Sequence, residues 1–173
     1  MDKKIQGALQ IVISLIMIYF AWSLSAYTET FQSYGYAGVF VILLITSATL
    51  FLPAPGWAFF LVMVKYLQPI PLGIVAGLGS SIGELTGFFA GHGARNVVKN
   101  DSNGGKIEKF IQKYDVIAIF VLAAIPNPFF DVAGIAAGAF GINYWRFFIA
   151  CAAGRIIRYV AVALILRSLL TIS

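Results

Sequence analysis

Four ionisable side chains, Glu84, Asp131, Arg155 and Arg158, stand inside long apolar runs. In hydrocarbon such groups are costly, so they are expected to point inward, paired or hydrated, where they mark an ion or substrate path. Their types define the available chemistry. A guanidinium recognises phosphate or carboxylate through two parallel N–H donors, and Arg155 and Arg158, three positions apart, share one side of a helix. A buried carboxylate that takes up a proton would release its arginine, which makes Glu84 and Asp131 candidate proton-coupling groups. The same four residues also read as a neutral network that fixes the fold and does no chemistry.

The elements that must position these groups are membrane segments. The 173 residues are 60% hydrophobic and 11% charged, with a mean hydropathy of +0.89, far from a soluble domain. One cysteine and one histidine leave no disulfide framework and no all-protein zinc or copper site, so no cofactor is expected. The reading is a single all-α polytopic membrane domain over 1–173. It begins with a transmembrane helix over 8–26, after Lys3 and Lys4; a signal peptide cut near Ser25-Ala26 is the other reading of that segment.

The remainder follows one plan twice. A re-entrant hairpin over 38–67 is broken at Pro53 and Pro55 and followed by a transmembrane helix over 71–91. A cytoplasmic loop over 92–115 carries an interfacial helix at 106–114. A second re-entrant hairpin over 116–141, broken at Pro126 and Pro128, is followed by a transmembrane helix over 144–167. Each hairpin arm of ten to fifteen residues is too short to cross a bilayer. Pro-interrupted segments in corresponding positions point to an inverted repeat with its site where the breaks meet; the alternative is a pair of kinked, tilted spans. With a cytoplasmic N-terminus, eight Lys and Arg fall inside, two outside and two within the last helix, as the positive-inside rule asks.

Other residues have paired readings too. Asn127 sits between the second pair of prolines and Asp131 three residues past Pro128, where each either caps free backbone N–H groups or handles substrate and protons. Helix N-termini opened by the breaks add N–H donors for an anion. Gly79, Gly83, Gly87 and Gly91, every fourth residue, are expected to form one flat helix face for close packing. The Gly77–Gly83 run has neither dinucleotide-fingerprint nor P-loop spacing. His92 lies roughly 16–18 Å along the helix from Ser80 and Ser81, too far to activate a serine nucleophile. No enzyme activity is expected, and the basic 92–113 region lacks the aromatic interleaving of a nucleic-acid site, so anionic lipid is its expected neighbour.

GLGSSIGELTGFFAGHGAR (77–95) and AAIPNPFFDVAGIAAGAFGINYWRFFIACAAGRIIRY (123–159) resemble the Gly-rich helix, and the second hairpin with its following helix, of the DedA family, also called the SNARE-associated or VTT-domain family. The likeness covers roughly residues 35–168. It implies an inverted repeat of two inward-dipping hairpins, movement of lipids between leaflets, including polyprenyl phosphate carriers, and proton-motive force as a drive. Glu84 matches the acid of the Gly-rich helix. Many members carry an acid where this chain has Trp57 and an arginine where it has Ala124. The expectation is thus a cytoplasmic-membrane transporter of an anionic phosphate lipid, with Arg155, Arg158 and Asn127 at the headgroup, protons as coupling ion and an oligomer allowed. A non-selective scramblase and a membrane scaffold are the alternatives.

Overall fold

The structure, a computed structural model, describes residues 28–48, 54–94, 116–126 and 130–172. They form helices α1 (Thr28–Ala48), α2 (Ala54–Met63), α3 (Pro69–Gly93), α4 (116–124), α5 (Phe130–Ala139) and α6 (Tyr144–Ile172), and no strand occurs among the described residues. The span expected at 8–26, the interfacial helix at 106–114, Pro53, Asn127 and Pro128 lie outside the described residues.

Local chemistry sets the helix ends. Gly35, at φ 48° and ψ −131°, kinks α1 between its polar first turns and its apolar arm, a conformation that only glycine adopts without strain. The arm then pairs with α2 as an antiparallel hairpin. At one end the Tyr36 hydroxyl accepts a hydrogen bond from the Gln68 backbone N–H (3.2 Å); at the other, a Cβ on Gly56 would lie 2.9 Å from Leu43 Cδ2. Arg167 of α6 ties down the return turn by donating to the carbonyls of Val64 (3.0 Å) and Lys65 (2.8 Å). Helix α3 begins at Pro69, two residues ahead of the expected start, because proline is tolerated throughout a first turn. Asn143 caps α6, its Oδ1 accepting from the N–H groups of Trp145 (3.0 Å) and Arg146 (3.4 Å). That helix continues five residues past the expected 167, to Ile172.

Helix α3 is the hub and packs against α1, α5 and α6. The expected single glycine face is corrected here. A Cβ at Gly79 or Gly83 would strike the backbone of α1, whereas one at Gly91 would strike Ile135 of α5. Steps of four residues overshoot a full turn by about 40°, so the stripe winds from one neighbour to another. A further pair, Gly73 and Gly77, meets Val160 and Ile156 and sets α3 antiparallel to α6.

This crossing divides the interior into two apolar cores. Val39, Leu43, Phe59, Phe60, Met63, Leu72, Tyr159 and Ala163 join the first hairpin to the start of α3 and the later part of α6. Phe88, Ile119, Ala123, Phe130, Ala137, Phe147 and Cys151 join the second pair of arms to the end of α3 and the beginning of α6. Helices α3 and α6 are both long and apolar enough to cross a membrane, about 37 and 43 Å at 1.5 Å per residue. Ile74, Ile82 and Phe89 of α3 and Ile149, Ile157 and Ile165 of α6 are exposed, which is the surface that lipid would cover.

Candidate site between the two cores

The buried charged residues occupy the layer between the cores. Glu84, Arg155 and Arg158 are only 2%, 5% and 7% exposed, and no other charged residue is buried among those described. Arg155 Nη2 donates to Glu84 Oε2 in an ion pair, and its Nη1 donates to the Ser80 carbonyl (3.1 Å). A helix carbonyl keeps a second lone pair for such a bond, and the Ser80 and Ser81 hydroxyls both turn back to the Gly77 carbonyl, at 3.2 and 2.6 Å. Gly134 of α5 leaves room for the acid, since a Cβ there would stand 2.8 Å from Glu84 Oε1. Three helices therefore shape the pocket of one carboxylate.

The two arginines lean toward different halves. Arg155 lies 4.7 Å above the Phe130 ring of α5. Arg158 lies 5.1 Å from the Trp57 ring of α2 and 5.2 Å from the Tyr159 ring. Trp57 stacks on Tyr159 at 4.8 Å, and Phe60 meets Tyr159 edge-on at 4.7 Å, so the Arg158 cradle is aromatic. Positions i and i+3 sit about 60° apart around a helix, enough to send the side chains to separate neighbours. The Nε atoms of both arginines are buried without a hydrogen-bond partner.

Of the residues expected at the site, Glu84, Arg155 and Arg158 are brought together. Asp131 lies in the first turn of α5, half-buried and near enough to interact with Glu84 and with both arginines, yet without an ion pair among the described residues. Pro126 is exposed at the second break and Pro55 lies in the first turn of α2. The acid that pairs with Arg155 is Glu84. Ala124 abuts α6, its backbone N 3.0 Å from where a Gly154 Cβ would be.

Trp57, Phe130 and Tyr159 were not singled out as site residues in the sequence. A signal existed for two of them: Trp57 and Phe130 each stand two positions after the second proline of a Pro-x-Pro. Equivalent places in the two halves thus supply one aromatic ring to each arginine.

The described residues form helices only, two of them long and apolar enough to cross a membrane and both exposing large apolar side chains, which makes this a membrane-embedded protein. The VTT domain, the domain of the SNARE-associated or DedA family, matches residues 52–168, and the chain belongs to this family. Among characterised relatives it is similar to vacuole membrane protein KMS1 of Arabidopsis thaliana, 29% identical over 49% of this chain and 26% of that protein. Vacuole membrane protein 1 of Mus musculus is 31% identical over 47% and 26%. The chain spans about a quarter of the length of the curated relatives it matches. No solved structure matches it.

Proposed function

We propose that the chain moves an anionic, phosphate-bearing membrane lipid between leaflets at the charged layer between its two cores. The observation that carries this reading is the pair of buried arginines in the middle of an apolar 29-residue helix, each faced by a ring from a different Pro-broken segment. Buried charge of this kind is expensive in a membrane and marks a substrate path. The broken segments are read as re-entrant hairpins of an inverted repeat, dipping from opposite sides so that their tips meet at α6. Ten-residue arms such as α2 and α5 reach only about 15 Å, half of a bilayer core.

In this reading the protein is a transporter and not an enzyme, sits in the cytoplasmic membrane with its N-terminus inside, and couples movement to protons through Glu84 or Asp131. Its partners are lipids, and an oligomer is compatible with the apolar surface of α6. The test is translocation in proteoliposomes of a labelled polyprenyl phosphate against a labelled zwitterionic lipid. Selective movement of the phosphate lipid, lost in Arg155→Ala/Arg158→Ala, supports the proposal. Equal movement of both, indifferent to the arginines, replaces it with a scramblase that acts by deforming the bilayer; no movement by folded protein leaves a scaffold.

A further inference from the structure

The two arginines differ in what is left of their hydrogen-bonding capacity. Both terminal nitrogens of Arg155 are engaged, one by the Glu84 carboxylate and one by the Ser80 carbonyl. Its charge is neutralised inside the protein. Arg158 is 7% exposed and has no carboxylate paired with it among the described residues. The Tyr159 phenol beside it makes a side-chain hydrogen bond with it, and its Nε is buried with no hydrogen-bond partner.

The aromatic cradle explains how Arg158 persists in this state. The Trp57 and Tyr159 rings lie 5.1 and 5.2 Å from the guanidinium carbon, and a cation–π contact uses the charge without taking up an N–H donor. A carboxylate in place of Trp57 would take up N–H donors and cancel the charge. Trp57 holds the cation without accepting from it, which leaves the donors not used by Tyr159 for the oxygens of a tetrahedral anion.

We infer that Arg158 alone is the anion acceptor, binding the phosphate of a lipid headgroup beside Trp57, and that Arg155 is a positioning residue locked by Glu84. This rests on the lipid-transport reading but assigns its binding step to one guanidinium, with Trp57 as its holder. Trp57 and Phe130 hold equivalent places, so the repeat is symmetric in its rings and asymmetric in its charges.

Trp57 also provides the readout, because an anion on Arg158 changes the surroundings of the indole. With Trp22→Phe and Trp145→Phe, Trp57 is the sole tryptophan of the full chain, and its fluorescence is followed in detergent micelles titrated with dihexanoyl phosphatidylglycerol. A saturable change is expected, absent with dihexanoylglycerol. Arg158→Gln should weaken the apparent affinity at least tenfold more than Glu84→Gln/Arg155→Gln does. Should Arg158→Gln not yield monodisperse protein, Arg158→Lys keeps the buried charge without the fork and should weaken it at least fivefold. Equal losses in the two sets of variants, or binding indifferent to Arg158, would overturn the assignment. The same saturation with inorganic phosphate at equal concentration would overturn the lipid as its source. Binding is read without transport: a wild type that binds but moves no lipid sinks the transport reading and sustains this one, whereas one that moves lipid without using Arg158 does the reverse.

Discussion

The two cores solve one problem in different ways. On the side of the second core, Arg155 is held by an acid, a carbonyl and a phenylalanine face. On the side of the first, Arg158 is held by a tryptophan and a tyrosine. An ion pair offsets the charge of a desolvated guanidinium and occupies terminal donors, although the Arg155 Nε stays unpartnered; a cation–π contact offsets it less and occupies none. The first arrangement makes structure and the second keeps a buried charge available, so the difference teaches which half is committed to holding the fold.

The comparison can be broken most forcefully at the seam of α3 and α5. A Cβ on Gly138 would fall on the Phe88 carbonyl oxygen and within 2.8 Å of His92 N. Gly138→Leu should therefore separate α5 from α3 and abolish recovery of monodisperse protein on size exclusion. Gly93→Ala meets nothing within 4 Å and should elute as wild type.

Next in size is the ion pair. Removing one partner strands a buried charge, so Glu84→Ala or Arg155→Ala should each lower stability by about 3–5 kcal/mol, while Glu84→Leu/Arg155→Met recovers most of the loss. Thermal unfolding of the four proteins in detergent closes that cycle, and additive losses would show that the pair does not act as a unit. The aromatic cradle should contribute less. Arg158→Met should change stability by no more than about 1–2 kcal/mol, because it forfeits a cation–π contact and relieves an uncompensated charge. A loss as large as that of Arg155→Ala would erase the asymmetry between the halves.

The smallest expected effect concerns the return turn of the first hairpin. Arg167→Ala removes donors to the Val64 and Lys65 carbonyls and should cost about 0.5–1 kcal/mol, the low end for hydrogen bonds, because water replaces the donor at this partly exposed turn. Hydrogen exchange should then rise at 64–67 and not in α5; a rise in both would mean that the cores do not open separately.

Much of this was legible in the residues themselves. The helical class, the two long apolar helices, the Asn143 turn before α6 and the inward burial of Glu84, Arg155 and Arg158 follow from hydropathy, turn chemistry and the cost of charge in lipid. The ends of α3 and α6 were displaced by two to five residues, since proline and the apolar tail of α6 permit continuation without requiring it, and α1 begins at Thr28, ten residues ahead of the expected hairpin start at 38. The glycine stripe was visible as a spacing of four, but its division between α1 and α5 came from the drift of that spacing around α3.

The sequence by itself determined that these arginines must turn inward, because a charge facing lipid from an apolar helix is costly. Only the tertiary structure decided how. Glu84 is 71 residues from Arg155, and Trp57 is brought to Arg158 by the crossing of a hairpin with a helix about a hundred positions later. Local pattern fixes which face of a helix is buried; which neighbour fills that face depends on helix crossings set by backbone contact at Gly73, Gly77 and Gly91, and those contacts carry no mark of the partner in the chain near them.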